Sequence, residues 1–195
     1  MAKQNGYIIY QGPSMLDGSP IIAVATMSTK NAKTGNMVQT WILRDDMTPL
    51  EAVKTAQDAA ICGACPQRRS LGGAWYVNVG QAPQAVFKAA QRGSYATDWS
   101  AETFSGRMVR LGAYGDPAAV PFDIWAEVLK LSSGHTGYTH QARHPGFDKR
   151  LLGVVMASAE TAKHAAALQA RGARTGRVKT AESDSLPGEV ECLAD

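Results

Sequence analysis

The second half of the chain alternates strand-like with helix-like segments, and this pattern limits the folds open to it. Between residues 108 and 178 the apolar runs give the order βαββαβ, and glycines close the helical segments. Strands that alternate with helices usually pair in parallel through crossover connections. We therefore expect an α/β fold, either a partial TIM-barrel-like layer or a mixed sheet. The predicted strands are residues 108–114, 136–140, 151–156 and 174–178, and the predicted helices are residues 122–131 and 160–171.

The first half begins with three strand-like segments joined by turn sequences that contain Gly18 and Gly35. These segments, residues 7–10, 20–26 and 37–43, predict an N-terminal region of antiparallel hairpins. A helix is predicted to begin at Pro49, because Thr48 and Glu51 have the spacing of a capping box, and to end before Gly63. A second helix is predicted over residues 84–93.

Composition narrows the class of protein. The 195 residues are 45% hydrophobic, which suits a single α/β domain over residues 1–180, followed by a loosely ordered acidic tail over residues 181–195. The net charge of +3 excludes a histone-like coating protein. No apolar run approaches the length of about 20 residues that a membrane span needs. Three cysteines and no export signal favour a reducing cytoplasm.

A pair of cysteines is the sharpest local motif. Cys62 and Cys65 flank a glycine-containing turn, and two thiolates at this spacing can bind one zinc ion or an iron–sulfur cluster. Cys192 or one of the four histidines would have to complete such a site. A lone pair of this kind is as often structural as it is a ligand set.

Two further candidates lie at strand ends. Asp116 follows the strand 108–114, and His140 ends the strand 136–140. Carboxyl ends of neighbouring parallel strands meet at one edge of a sheet, so these side chains are candidate catalytic groups acting on a substrate. The alternatives are a turn aspartate before Pro117 and a histidine in a structural hydrogen bond.

Basic residues occur at two turns, as Lys30 and Lys33 in the second hairpin and as Arg68 and Arg69 after the cysteine pair. Neither turn has the glycine spacing of a phosphate-binding loop. These four residues are candidates for binding nucleic acid or another anionic partner. A solvated surface is the competing interpretation.

Four sequence words, taken in order, resemble an uncharacterised family of phage and prophage proteins that is similar to phage proteins with a radical-SAM-like partial TIM barrel. They are residues 80–83, 112–121, 137–141 and 156–158, and the resemblance spans about residues 10–192. It implies that Cys62, Cys65 and Cys192 match ligand-like cysteines. Trp75 stands where that family's pattern has a cysteine, and Ala142 and Ala173 stand where it has tryptophan.

The resemblance leaves two functions open, and the oligomeric state with them. In the first, the protein is a phage or mobile-element protein in the host cytoplasm that binds a host nucleoprotein or nucleic acid, for example as an anti-CRISPR-like counter-defence protein on a degenerate enzyme fold. In the second, it is a metal- or Fe–S-dependent enzyme of radical-SAM-like or nucleotide-modifying type. The cysteine missing at position 75 favours the first.

Overall fold

The computed structural model describes residues 4–28, 35–73, 77–178, 185 and 188–190. The predictions for Lys30, Lys33, Cys192 and the tail lie wholly or largely outside these residues. The described residues form one seven-stranded open sheet with the strands in sequence order. The strands are β1 (Gly6–Pro13), β2 (Pro20–Thr26), β3 (Val38–Arg44), β4 (Met108–Tyr114), β5 (Gly134–Thr139), β6 (Met156–Ala159) and β7 (Thr175–Arg177).

The sheet is mixed, as the sequence predicts. β1, β2 and β3 pair antiparallel, whereas β3 to β7 all pair in parallel. In a TIM barrel each parallel strand pairs with the next one in sequence, and β3 to β7 follow the same order. The sheet does not close, because β1 and β7 are its two edges. The mixed-sheet alternative is therefore confirmed, and the barrel is not closed.

Five α-helices connect the strands in the described residues: α1 (Pro49–Lys54), α2 (Ala59–Cys62), α3 (Ala82–Gln91), α4 (Phe122–Leu129) and α5 (Ala162–Gln169). Short 3₁₀ helices cover Arg69–Leu71, Ala101–Phe104, Pro117–Ala119 and Lys149–Gly153.

The single helix predicted between Pro49 and Gly63 is wrong, because α1 and α2 are separate. The Thr48 hydroxyl accepts the backbone N–H of Glu51, as the capping box predicts. After α1, however, the Thr55 hydroxyl donates to the carbonyl of Glu51, and Ala56 takes the left-handed conformation with φ of 59°. A left-handed residue cannot continue a right-handed helix, so the chain turns before α2.

The strand predicted over residues 151–156 is also misplaced. This segment begins in the 3₁₀ helix Lys149–Gly153, where the Asp148 carboxylate accepts the backbone N–H of Arg150, and β6 begins only at Met156. Leu151 lies in this helical turn and Val155 lies in the loop after it, and both side chains are buried. The strand contains the small residues Ala157 and Ala159 instead, and both are buried in one cluster with Ala165 and Leu168 of α5.

The main core lies around the middle of the sheet, and β2 is buried along almost its whole length. Its largest fully buried side chains include Trp125 of α4, Phe104, and Ile42 and Leu43 of β3. A smaller, alanine-rich core lies between β6 and α5. These two cores fix the carboxyl ends of β4, β5 and β6 side by side.

Candidate active site

Three side chains of acid–base character follow three adjacent parallel strands. Asp116 comes shortly after β4, His140 comes directly after β5, and Glu160 comes directly after β6. The pairing of Thr139 with Ala157 brings the last two together. This edge is where open α/β sheets gather their binding and catalytic groups.

His140 joins two other side chains through its ring. Its Nδ1 lies 3.3 Å from the Sγ of Cys65, and its Nε2 lies 3.0 Å from Oε1 of Glu160. An ionised carboxylate can only accept a hydrogen bond, so Nε2 carries the proton that it donates to Glu160. Nδ1 of the neutral ring is then an acceptor, and it faces the S–H of Cys65.

The loop that carries Cys65 is fixed by Gln141, the residue after His140. The Gln141 Nε2 donates to the carbonyl of Cys62 at 2.8 Å, and its Oε1 accepts the backbone N–H of Ala64 at 3.1 Å. Gly63 lies between them with φ of 52°, a conformation that suits glycine. The amide of Gln141 therefore holds the turn between the two cysteines against the end of β5.

Asp116 positions the backbone of this site. Its Oδ1 accepts the backbone N–H of Ala118 and the hydroxyl of Thr139, and its Oδ2 accepts the backbone N–H of His140 at 2.8 Å. Burial raises the pKa of the Asp116 carboxyl, although these donors oppose that effect. The structure thus brings Asp116 and His140 together, but through the backbone of His140 and not through its ring.

Both thiols at this site are protonated at neutral pH. Burial raises the pKa of Cys65 to about 11, although the backbone N–H of Gln67 opposes the effect, and burial raises the pKa of Cys62 well above its ordinary value. Cys65 is 1% exposed, but its neighbours Gln67, His140 and Glu160 are each partly exposed. The Cys65 thiol therefore lies directly beneath the surface layer of side chains.

The described residues cover only part of the predicted zinc or iron–sulfur site, because Cys192, its third cysteine, lies outside them. Cys65 contacts His140, whereas Cys62 lines a small cavity with Asp58, Arg68 and Tyr114. Across the described ranges, no group of three His, Cys, Asp or Glu side chains could hold a metal ion.

The two arginines predicted to bind an anionic partner differ in position. Arg68 is buried, with its NH2 nitrogen 3.2 Å from the Asp58 carboxylate and its NH1 nitrogen 2.7 Å from the carbonyl of Gly63. It is therefore occupied inside the protein, where an external phosphate cannot reach it. Arg69, the next residue, is exposed.

Glu160 and Gln141 are site residues that the sequence did not reveal. Glu160 falls inside the predicted helix 160–171, whereas α5 begins at Ala162 and Thr161 caps it. Thr161 is a residue type that caps helices, so a helix beginning at Ala162 could have been predicted from it. Glu160 would then precede the helix and lie at the end of the strand.

In comparisons with known proteins, no family model, no curated protein and no solved structure matches this chain. None of the helices in the described residues has the length and apolar character needed to cross a membrane.

Proposed function

We propose that the protein is a cysteine-dependent enzyme that transfers acyl groups, with Cys65 as nucleophile, His140 as general base and Glu160 as the residue that orients the base. The observation that carries the proposal is the continuous contact from the Cys65 Sγ through both ring nitrogens of His140 to the Glu160 carboxylate. A nucleophile next to a base that is itself oriented by a third group is the arrangement that activates thiols and hydroxyls.

The proposed reaction is addition followed by elimination at a carbonyl carbon. The Cys65 sulfur forms a bond to the carbonyl carbon of an ester, thioester or amide while its proton passes to Nδ1 of His140. Glu160 stabilises the imidazolium through Nε2–H. The bond to the leaving group then breaks, the leaving group takes the proton from Nδ1, and a thioester remains on Cys65. Attack by water, assisted by His140, releases the acid and restores the thiol.

The thiolate is the nucleophilic form of cysteine, so the raised pKa of Cys65 opposes this mechanism unless His140 takes the proton from the sulfur. The pKa of Cys65 is raised to about 11, so the proton leaves the sulfur only as the new bond forms. The backbone N–H of Gln67 faces the sulfur and favours its developing charge. Gln67 Nε2 also donates to Oε2 of Glu160 at 3.1 Å, which fixes the carboxylate that orients His140.

The test uses 4-nitrophenyl acetate as the acyl donor. The protein is expected to release 4-nitrophenolate and to carry one acetyl group on Cys65, located by intact mass and peptide mapping. Cys65→Ala should abolish both signals, whereas Cys62→Ala, the matched control three positions away, should still be acetylated on Cys65. Equal release from the unchanged protein and from Cys65→Ala would exclude the proposal.

The base is tested separately from the nucleophile. His140→Ala is expected to lower the acetylation rate about 100-fold or more, and free imidazole should restore part of it, which a merely structural histidine would not permit. His140→Gln provides a second variant if the alanine variant folds poorly. Glu160→Gln should cause a smaller loss, because an amide oxygen can still accept from Nε2.

A second candidate is binding of nucleic acid or a host nucleoprotein, as expected of a phage or prophage counter-defence protein. Its support in the described residues is Arg69, which is exposed and follows the buried Arg68 on the same turn. Binding through phosphate contacts weakens steeply with salt. If this function is correct, Arg69→Glu should flatten the salt dependence of binding to duplex or single-stranded DNA, and Cys65→Ala should leave it unchanged.

A further inference from the structure

The turn that joins Cys62 to Cys65 brings the two cysteines within reach of each other. The backbone N–H of Cys65 donates to the carbonyl of Cys62 at 3.2 Å, which closes a four-residue turn. Gly63 has φ of 52° and ψ of −132°, close to the conformation of the first central residue in a type II′ turn. The Cα atoms at the two ends of such a turn are less than about 7 Å apart, a separation that a disulfide can bridge.

Both thiols are free, and their neighbours differ. The Cys65 Sγ faces His140, whereas Cys62 lines a small cavity with Val53 and Tyr114. Among the described residues the Cys62 thiol has no hydrogen-bond partner. Turning the Cys62 side chain towards Cys65 therefore breaks no hydrogen bond within that part of the chain, whereas Cys65 must leave His140 to meet it.

We infer that Cys65 is a site of oxidation by peroxides and that Cys62 is its resolving thiol, so that the two cysteines form a reversible disulfide. This inference rests on the proposed function in one respect, which is that His140 takes the proton from the Cys65 sulfur. The disulfide removes the nucleophile and thereby stops acyl transfer. In compartments where thiols are kept reduced, protein disulfides are usually transient and catalytic or redox-sensing.

The oxidation takes place in two steps. The Cys65 sulfur attacks one oxygen of a hydroperoxide while its proton passes to His140. The O–O bond breaks, the departing alkoxide or hydroxide takes the proton from His140, and a sulfenic acid remains on Cys65. The Cys62 sulfur then attacks the sulfur of the sulfenic acid, the S–O bond breaks, and the hydroxide leaves with the Cys62 proton as water. The peroxide gains two electrons and the two thiols together lose two.

The disulfide is reversed by an external dithiol through thiol–disulfide exchange. The first step depends on the base, because burial raises the pKa of Cys65 to about 11 and the thiolate is scarce at neutral pH. His140→Ala should therefore slow the oxidation at pH 7 by about tenfold or more.

The test uses hydrogen peroxide and intact mass in a Cys192→Ser background, which leaves only the two cysteines of the turn. The oxidised protein should lose the mass of two hydrogen atoms, and peptide mapping should join Cys62 to Cys65. Dithiothreitol should restore both thiols and, with them, the release of 4-nitrophenolate from 4-nitrophenyl acetate. Cys62→Ala is the matched variant. Without the resolving thiol, Cys65 should gain two oxygen atoms as a sulfinic acid that dithiothreitol does not reduce.

The mass readout is independent of turnover, so the two proposals fail separately. Two free thiols after peroxide treatment would overturn the inference while acyl transfer stands. Sulfinic acid on Cys65 at the same rate with and without Cys62 would overturn it as well. A reversible disulfide in a protein that never acquires an acetyl group on Cys65 would support the redox pair and exclude acyl transfer.

Discussion

The Oδ2 atom of Asp116 accepts the backbone N–H of His140 at 2.8 Å, so a buried carboxylate after β4 fixes the chain where β5 ends. Its other oxygen is occupied by the backbone N–H of Ala118 and the hydroxyl of Thr139. The Ala118 bond caps the 3₁₀ helix Pro117–Ala119, and the Thr139 and His140 bonds hold the loop from which the His140 ring reaches Cys65 and Glu160. Asp116 is therefore a positioning residue.

Asp116→Asn is expected to destabilise the protein by about 1–3 kcal/mol. The Asn amide oxygen can accept from Ala118 and Thr139, but its NH₂ group then faces the N–H of His140, which leaves two donors opposed. Asp17→Asn is the matched control, because Asp17 is exposed and accepts a single backbone N–H, that of Ser19. Urea unfolding measures both changes, and equal values for the two variants would contradict the prediction. Acetylation of Cys65 should also slow in Asp116→Asn, with kcat affected more than KM.

Arg68→Ala and Arg69→Ala should differ sharply in stability. Loss of Arg68 leaves the Asp58 carboxylate buried with only the Ser70 hydroxyl as a side-chain partner, which costs about 3–5 kcal/mol. Arg69 is exposed, so its removal should change the free energy of unfolding by no more than about 0.5 kcal/mol. Thermal or urea unfolding of the two variants makes the comparison. A small effect of Arg68→Ala would show that the ion pair is not formed.

Gly63→Ala should disturb the site through Gln141. A Cβ at position 63 would collide with the Gln141 side-chain amide, and the φ of 52° is unfavourable for alanine. Because that amide bonds the Cys62 carbonyl and the Ala64 N–H, the loop carrying Cys65 must shift. We expect reduced stability and slower acetylation of Cys65. Gly153→Ala is the control, since its Cβ would meet open space.

Alkaline pH should destabilise the folded protein. In the unfolded chain a cysteine ionises near pH 8.5, whereas in the folded protein burial raises the pKa of Cys65 to about 11 and raises that of Cys62 well above its ordinary value. Between about pH 9 and 11 the folded state therefore binds more protons, and stability falls as pH rises by up to about 1.4 kcal/mol per unit for each thiol. The full stability is present below this window. Cys65→Ser should show a shallower decline in urea unfolding between pH 8 and pH 10, with a reducing agent present throughout.

The sequence predicts the strand ends better than the contacts between them. The adjacency of Asp116 and His140 follows from the βαββαβ order, because parallel neighbours end at the same edge. The contact of Cys65 with His140 joins residues 75 positions apart, and no local pattern encodes it. Glu160 was not identified because the apolar run 151–155 predicts a strand, which places residue 160 in the helix that follows. In the structure, Leu151 lies in a 3₁₀ helix and Val155 in the loop after it, and both are buried there. The sequence does not indicate that Arg68 is buried, because its partner, Asp58, lies ten positions earlier in a different element.

The reactivity of Cys65 towards iodoacetamide should separate a thiol from a preformed thiolate. Iodoacetamide reacts with the thiolate, so a pKa of about 11 predicts that the rate in His140→Ala, which lacks the base, rises about tenfold per pH unit from pH 7 to 10. At pH 7 His140 should still assist the reaction as a base, so His140→Ala should be slower there and should approach the unchanged protein at pH 10. Cys62 is 4% exposed, and burial raises the pKa of its thiol well above the ordinary value, so it should remain unalkylated in the folded state. Peptide mapping after timed exposure gives the rate at each cysteine. A midpoint near pH 7 would show a thiolate–imidazolium pair instead, and faster labelling of Cys62 than of Cys65 would contradict the assignment of the nucleophile.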